Sequence, residues 1–580
     1  MTKILMTALL LTQTLPTGYW PLEKSKPIID KTQTIRLAPD TSKLTEGERK
    51  AVARMIEVGQ IFQRLYEEQR HPEAQASYNA LVQLDKRTGS TPATQNLLTL
   101  YRLFQGPIAT TLENKREPFL PVDALKPGKN MYPWGITKEA IDEKRADLLD
   151  LRTAVRYTTA ENLKADIAKL KQYPALQTLH PKLLSELQRL ESGPKTALYS
   201  VPYAVAYADD LMKAYGLLNE AADAVAKDDE EFARFLRNRA RDLLSNDYES
   251  GDASWVTGRF KNLNAQIGSY ETYDDELFGV KTFFSFCLLQ SRPQETIALR
   301  QAMKGLQALE DSLPYKNHKK VREDIPVGVY DVVADFGQSR GGNTATILPN
   351  ESYLARRYGR TILLRANIMR DPNIFEGTSR ALSAALGEQQ AKDLTPDGNF
   401  YRTLWHEVGH YLGVDRTRDG RELDEALQDN ANTLEEMKAD LVSLFVAEAL
   451  HKQGYYTDAQ LRSVYAGGIL RVLQNNRPRR DQPYNTMQLM QWNFYLDNGL
   501  LTFDPATKTM QVHYDKYHEV VGKMLERTLA VQYEGDKAAS DKFIDEYTKW
   551  DDNLHGVIAA NIRAQQQYRF RVFKYAALGE

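Results

Sequence analysis

Histidines and carboxylates carry the chemistry of this chain, and one short segment gathers them. Trp405-His406-Glu407-Val408-Gly409-His410 lies in a stretch of helical period. On a helix, His406 and His410 stand one turn apart on one face and can hold a single ion. Glu407, turned by about 100° around the axis, can reach a water beside that ion. The 580 residues include nine His and a single Cys, Cys287. Neither an internal disulfide nor a thiolate cluster is available, so a metal must be held by imidazoles and carboxylates.

A third ligand stands downstream. In Glu435-Glu436-Met-Lys-Ala-Asp440, inside a second helical stretch, Glu436 and Asp440 are an i, i+4 pair. Glu436 is the expected third ligand. Asp440, one turn on, can accept a hydrogen bond from a ligating imidazole and fix its tautomer, and Glu435 joins it as a supporting carboxylate. Two neutral imidazoles and one carboxylate suit one Zn2+ per chain. Such an ion polarises carbonyls and lowers the pKa of a water from about 15.7 to about 7. Glu407 is the expected general base.

The elements that must position these residues divide in two. Thr45-Glu-Gly-Glu48 reads as a capping box ahead of a helix over 51–66. Helical patterns follow over 94–104, 138–149, 181–190, 204–226 and 230–244. Between 265 and 289 the pattern becomes that of a hairpin around Asp274-Asp-Glu276, and 327–336, 344–348 and 361–364 read as strands. Beyond Pro372 the text is helical to the end. The expected fold is α+β and predominantly helical: a segment 1–35, a mixed α/β lobe over 36–372 and an all-helical zinc lobe over 373–580.

Bulk properties exclude other classes. With 75 basic and 77 acidic residues and a formal charge of −2, the chain lacks the footprint of a nucleic-acid binder. No run of about 18 apolar residues predicts a membrane span. The Met1–Leu11 segment has a single Lys, Lys3, before an apolar stretch but precedes no small-x-small cleavage site; a cytoplasmic chain and an exported one both fit it. The basic cluster Arg477-Pro-Arg-Arg480 reads as an exposed loop.

His406-Glu-Val-Gly-His410 together with Glu435-Glu-Met-Lys-Ala-Asp440 resembles the dipeptidyl peptidase III family of zinc peptidases, in its bacterial form with a five-residue zinc motif. Ile267-Gly-Ser-Tyr-Glu-Thr-Tyr273 is similar to the family segment carrying a glutamate and a tyrosine two residues later. The resemblance implies Glu271 for substrate binding and Tyr273 for transition-state stabilisation. Gly342-Asn343 followed by Ile347-Leu-Pro-Asn350 is similar to the family's substrate-binding strand, which implies substrate binding by Asn350. It further implies release of N-terminal dipeptides from short peptides in a cleft between two lobes.

Two positions depart from the family pattern. Ile347 stands where a second substrate-binding Asn is usual, and Tyr484 aligns where a third cleft histidine is expected. Both departures bear on substrate length and end recognition rather than on the metal. A hydrolase of a non-peptide amide or ester, and a catalytically silent peptide binder with a retained zinc site, are the rival readings. Glu407 argues against the second, because a structural ion needs no base. Oligomeric state is not legible in the sequence.

Overall fold

The capping box forms as its residue types require. In the computed structural model, which describes residues 15–321, 325–474 and 482–580, the Thr45 hydroxyl accepts from the Glu48 N–H at 3.0 Å and the Glu48 carboxylate accepts from the Thr45 N–H at 2.9 Å. Strand β1 (Thr32–Leu37) precedes it and helix α1 (Glu46–Arg70) follows. Met55, Val58, Ile61, Phe62 and Leu65 of α1 are buried at helical spacing. Gly59 lets that face settle on the central sheet: a Cβ there would stand 2.3 Å from the Phe336 ring.

The sheet has five strands: β2 (Leu263–Ser269), β3 (Phe284–Ser291), β4 (Val327–Gly337), β5 (Ala345–Leu348) and β6 (Thr361–Arg365). Their spatial order is β2-β3-β4-β6-β5. The hairpin read from the sequence is β2–β3, registered from Leu263 opposite Gln290 to Ser269 opposite Phe284. Only β4 and β6 run parallel; β5 pairs antiparallel with β6 and ends the sheet as an edge strand.

Period-two alternation makes this sheet a wall shared by two cores. Val327, Val329, Ile362 and Leu364 pack into the core of the helical lobe, whereas Tyr330 and Leu363 belong to that of the mixed lobe. The helical lobe's core therefore takes in side chains from Leu299 onward, well before residue 373.

Helices α2 (Pro396–Gly409), α3 (Ala431–Phe445), α4 (Asp458–Leu473) and α5 (Pro483–Asp497) build the second lobe. It carries exceptions to an all-helical text. Leu501–Asp504 and Thr509–Val512 form a hairpin, and the last strand, β7 (Phe570–Tyr575), returns to pair in parallel with β1, Thr32 opposite Phe570. Within 1–35 the described residues hold a helix, Leu22–Asp30, and the start of β1. The apolar Met1–Leu11 stretch and the Arg477–Arg480 cluster lie outside the described residues.

One expected helix is absent. Over 138–149 only a single turn, Lys138–Ala140, is helical. The Asp142 carboxylate accepts from the Lys144 N–H at 3.0 Å, and short turns such as Leu148 N–H to Arg145 C=O replace a helical ladder. Aspartates that bond nearby backbone compete with helix. No helix among the described residues is long and apolar enough to cross a membrane.

Candidate metal centre

Two glycines set how closely α2 packs. A Cβ on Gly409 would lie 2.8 Å from the Ala439 carbonyl oxygen on α3, and one on Gly398 would lie 2.3 Å from the Ser463 carbonyl oxygen on α4. Backbone thus meets backbone, and the ligand-bearing face of α2 comes within reach of α3. The His406 and His410 rings stand 4.9 Å apart at 85°. Their Nε2 atoms lie 3.3 Å and 3.9 Å from Glu436 Oε2.

The outer ring nitrogens are braced separately. His406 Nδ1 lies 2.7 Å from Asp440 Oδ1 and His410 Nδ1 lies 3.0 Å from Glu435 Oε1. With Nδ1–H donating outward, each Nε2 faces Glu436, where an ion that displaces its proton can take the lone pair. The braces are themselves held. Arg402 donates to Asp440 at 2.9 Å, Arg471 approaches it at 3.5 Å, and buried Lys438 pairs with Glu435 at 2.8 Å. Burial opposes the charge on Glu435, yet Lys438 and His410 outweigh it and hold its carboxyl down to about 2. Burial likewise opposes a charged His406, and the Asp440 carboxylate overrides it, raising that imidazole to about 9. A field that favours positive charge this strongly also suits a divalent cation.

The donor set fits zinc. One ligand atom from each of His406, His410 and Glu436 lies within 4.8 Å of the others. Glu436 Oε2 is buried and accepts no hydrogen bond, an expensive condition that an ion between these atoms relieves. No other such group of His, Cys, Asp and Glu occurs among the described residues.

Comparison with known proteins agrees with this geometry. A family model described as zincin-like metallopeptidase matches residues 389–479, which hold all three candidate ligands and Glu407. A dipeptidyl peptidase III structure from Caldithrix abyssi superposes with a TM-score of 0.79 at 22% identity, covering 94% of this chain and 98% of that one. The corresponding structure from a Corallococcus species, strain EGB, gives 0.71 at 23% identity, with 97% and 98% covered. The chain has the dipeptidyl peptidase III fold. A protein named Nudix hydrolase 3 from Arabidopsis thaliana is 27% identical over 358 residues, 60% of this chain and 46% of that protein. The chain thus spans less than half the length of that relative.

Within the dipeptidyl peptidase III fold, the remaining expected residues meet across the lobes. Glu271, Tyr273, Ile347 and Asn350 from the mixed lobe and Glu407 from α2 line one pocket of about 540 Å³. The Asn350 side chain hydrogen-bonds the Glu271 carboxylate, whose pKa burial nonetheless raises. Tyr273 is 84% exposed. The charge of Glu271, then burial, then Glu436 raise its phenol, so the hydroxyl keeps its proton. Tyr484, noted in the sequence only as a departure, hydrogen-bonds Glu436 and lies 4.9 Å under the Arg471 guanidinium. Arg402, Lys438 and Arg471 were not anticipated. Arg402 did carry a signal, standing one turn before His406 on the same face.

The loop that presents Tyr273 is pinned from inside by its next two residues. Asp274 accepts from the Tyr66 hydroxyl at 2.9 Å, Lys129 at 2.9 Å and Gln338 at 2.8 Å. Asp275 accepts from the Tyr132 hydroxyl and from the N–H groups of Leu277, Phe278, Val280 and Lys281. Against the penalty of burial, Arg70 and Lys129 hold Asp274 at about 2, below its ordinary 3.8. Because the folded value is depressed, this stabilisation is complete above pH 3.8 and disappears as pH falls through about 2. At neutral pH it amounts to about 2 kcal/mol. Asp274→Asn is expected to lower thermal stability at pH 7, with a deficit that shrinks when unfolding is followed at pH 3; a deficit independent of pH would refute the ionic anchor.

Proposed function

We propose that this protein is a zinc-dependent peptidase that acts on short peptides and releases dipeptides from their amino ends. One observation carries the reading: Glu407 opens onto the pocket lined by Glu271, Tyr273 and Asn350, while the His-His-Glu set converges behind it.

An extended peptide adds alongside the edge strand β5, main-chain hydrogen bonds giving affinity with little dependence on side chains. Glu271, oriented by Asn350, receives the terminal ammonium, and the distance from that anchor to Glu407 sets how many residues leave. Ile347 presents an apolar contact where an amide would bond, so recognition rests more heavily on the Glu271 end. Zinc held by His406, His410 and Glu436 would polarise the scissile carbonyl and acidify water. Glu407 takes the proton of the attacking water and returns it to the leaving nitrogen. Tyr273 donates its hydroxyl to the oxyanion that develops.

Mass spectrometry of products from a panel of four- to eight-residue peptides tests the reading. The expected products are N-terminal dipeptides. N-acetylated peptides, which lack the ammonium, should be cleaved roughly 10- to 100-fold more slowly, the worth of one charged hydrogen bond. Equal rates on free and acetylated peptides would refute the role given to Glu271.

A further inference from the structure

A second pocket, of about 270 Å³, borders the strand that leads into β5. Asn343 and Ala345 line the cleft pocket, and Gly342 and Thr344 line this one. On α2, Glu407 faces the first, and Thr403 and Asn399, one and two turns earlier, face the second. The two pockets therefore border the same helix and the same strand.

The walls of the second pocket are positively charged. Arg402, Arg471 and Arg571 line it, and no Asp or Glu stands among the described residues that do. Arg402 is 8% exposed. The nearest carboxylate, Asp440, is already divided between Arg402, Arg471 and His406. The Arg571 side chain makes no hydrogen bond or ion pair with a described side chain; the carboxylate of Asp371 acts on it only through its charge. Burial and then the charge of Arg471 push the Arg402 guanidinium down to about 10, against the opposing charge of Asp440. Thr344 and Thr378 add hydroxyls to the same walls.

We propose that this pocket binds a compact oxyanion between Arg471 and Arg571, with Arg402 beneath it. Guanidinium groups match the geometry of phosphate, sulfate and carboxylate oxygens, and an anion offsets the charges of buried Arg402, half-buried Arg471 and exposed Arg571. The oxyanion is either a free one or the last carboxylate of a peptide; both offer the same chemistry.

Inorganic phosphate is the probe, titrated calorimetrically at constant ionic strength. One phosphate per chain should bind saturably, and chelation of zinc should leave that binding intact, which separates this site from the metal and from any peptidase activity. Arg571→Gln should weaken binding at least tenfold, Arg571→Lys should retain most of it, and Arg380→Gln, outside the pocket, should not change it. Absence of saturable binding, its loss on removal of zinc, or equal affinity in Arg571→Gln would overturn the proposal. Kinetics then separate the sources. Phosphate that raises KM for a free-acid peptide and not for its C-terminal amide identifies the peptide carboxylate as the occupant; an equal response of both identifies a free anion.

Discussion

Replacing Glu407 by Gln is expected to lower kcat/KM on short peptides by roughly 10²- to 10⁴-fold, the usual contribution of a positioned general base, while zinc content stays near one per chain. The side chain is half-buried on α2 and faces the pocket rather than the ligand cluster, so the amide keeps the shape and removes only the basic oxygen. Zinc analysis and peptide kinetics on the same preparation make the test complete. A variant as active as the parent would remove Glu407 from the chemistry. A parent that binds zinc and cleaves nothing on a broad panel would instead favour the silent peptide binder that the sequence left open.

The second large effect is on the metal. Glu436→Ala removes one of three protein donors. Structural zinc sites with four ligands are worth roughly 10–16 kcal/mol, so one donor corresponds to roughly 10²- to 10³-fold in affinity, and the variant should purify without stoichiometric zinc. Competition with a chelator of known strength measures the change. The parent fold should persist, because Tyr484, which hydrogen-bonds Glu436, is itself exposed and its hydroxyl can turn to water. Full occupancy in Glu436→Ala would show that another group completes the site. Replacing Asp440, which acts through His406 Nδ1, should cost less, roughly 10- to 100-fold.

The candidate ligand set was legible because its signals are local. His406 and His410, and Glu436 and Asp440, are i, i+4 pairs, and helical geometry alone puts each pair on one face. The capping box at Thr45 and the β2–β3 hairpin were legible for the same reason: a few neighbouring residues decide them. The stretch 138–149 misled because its apolar spacing suited a helix while its aspartates preferred turns.

Other features depend on residues that only folding brings together. Gly409 matters because Ala439 lies against it. Tyr484 read as a missing histidine until its hydroxyl was found on Glu436. Strand β7 looked like more helical text and takes its extended form from β1, at the other end of the chain. The arginine pocket is assembled from residues 402, 471 and 571, whose separations carry no pattern. By itself, then, the sequence determined which residues could hold zinc and supply a base, since helix periodicity and side-chain chemistry suffice for that. Only the tertiary structure decided how closely those helices approach, what braces each imidazole and which charges remain uncompensated beside the cleft. Those properties arise between segments, where packing distance and desolvation set the energies.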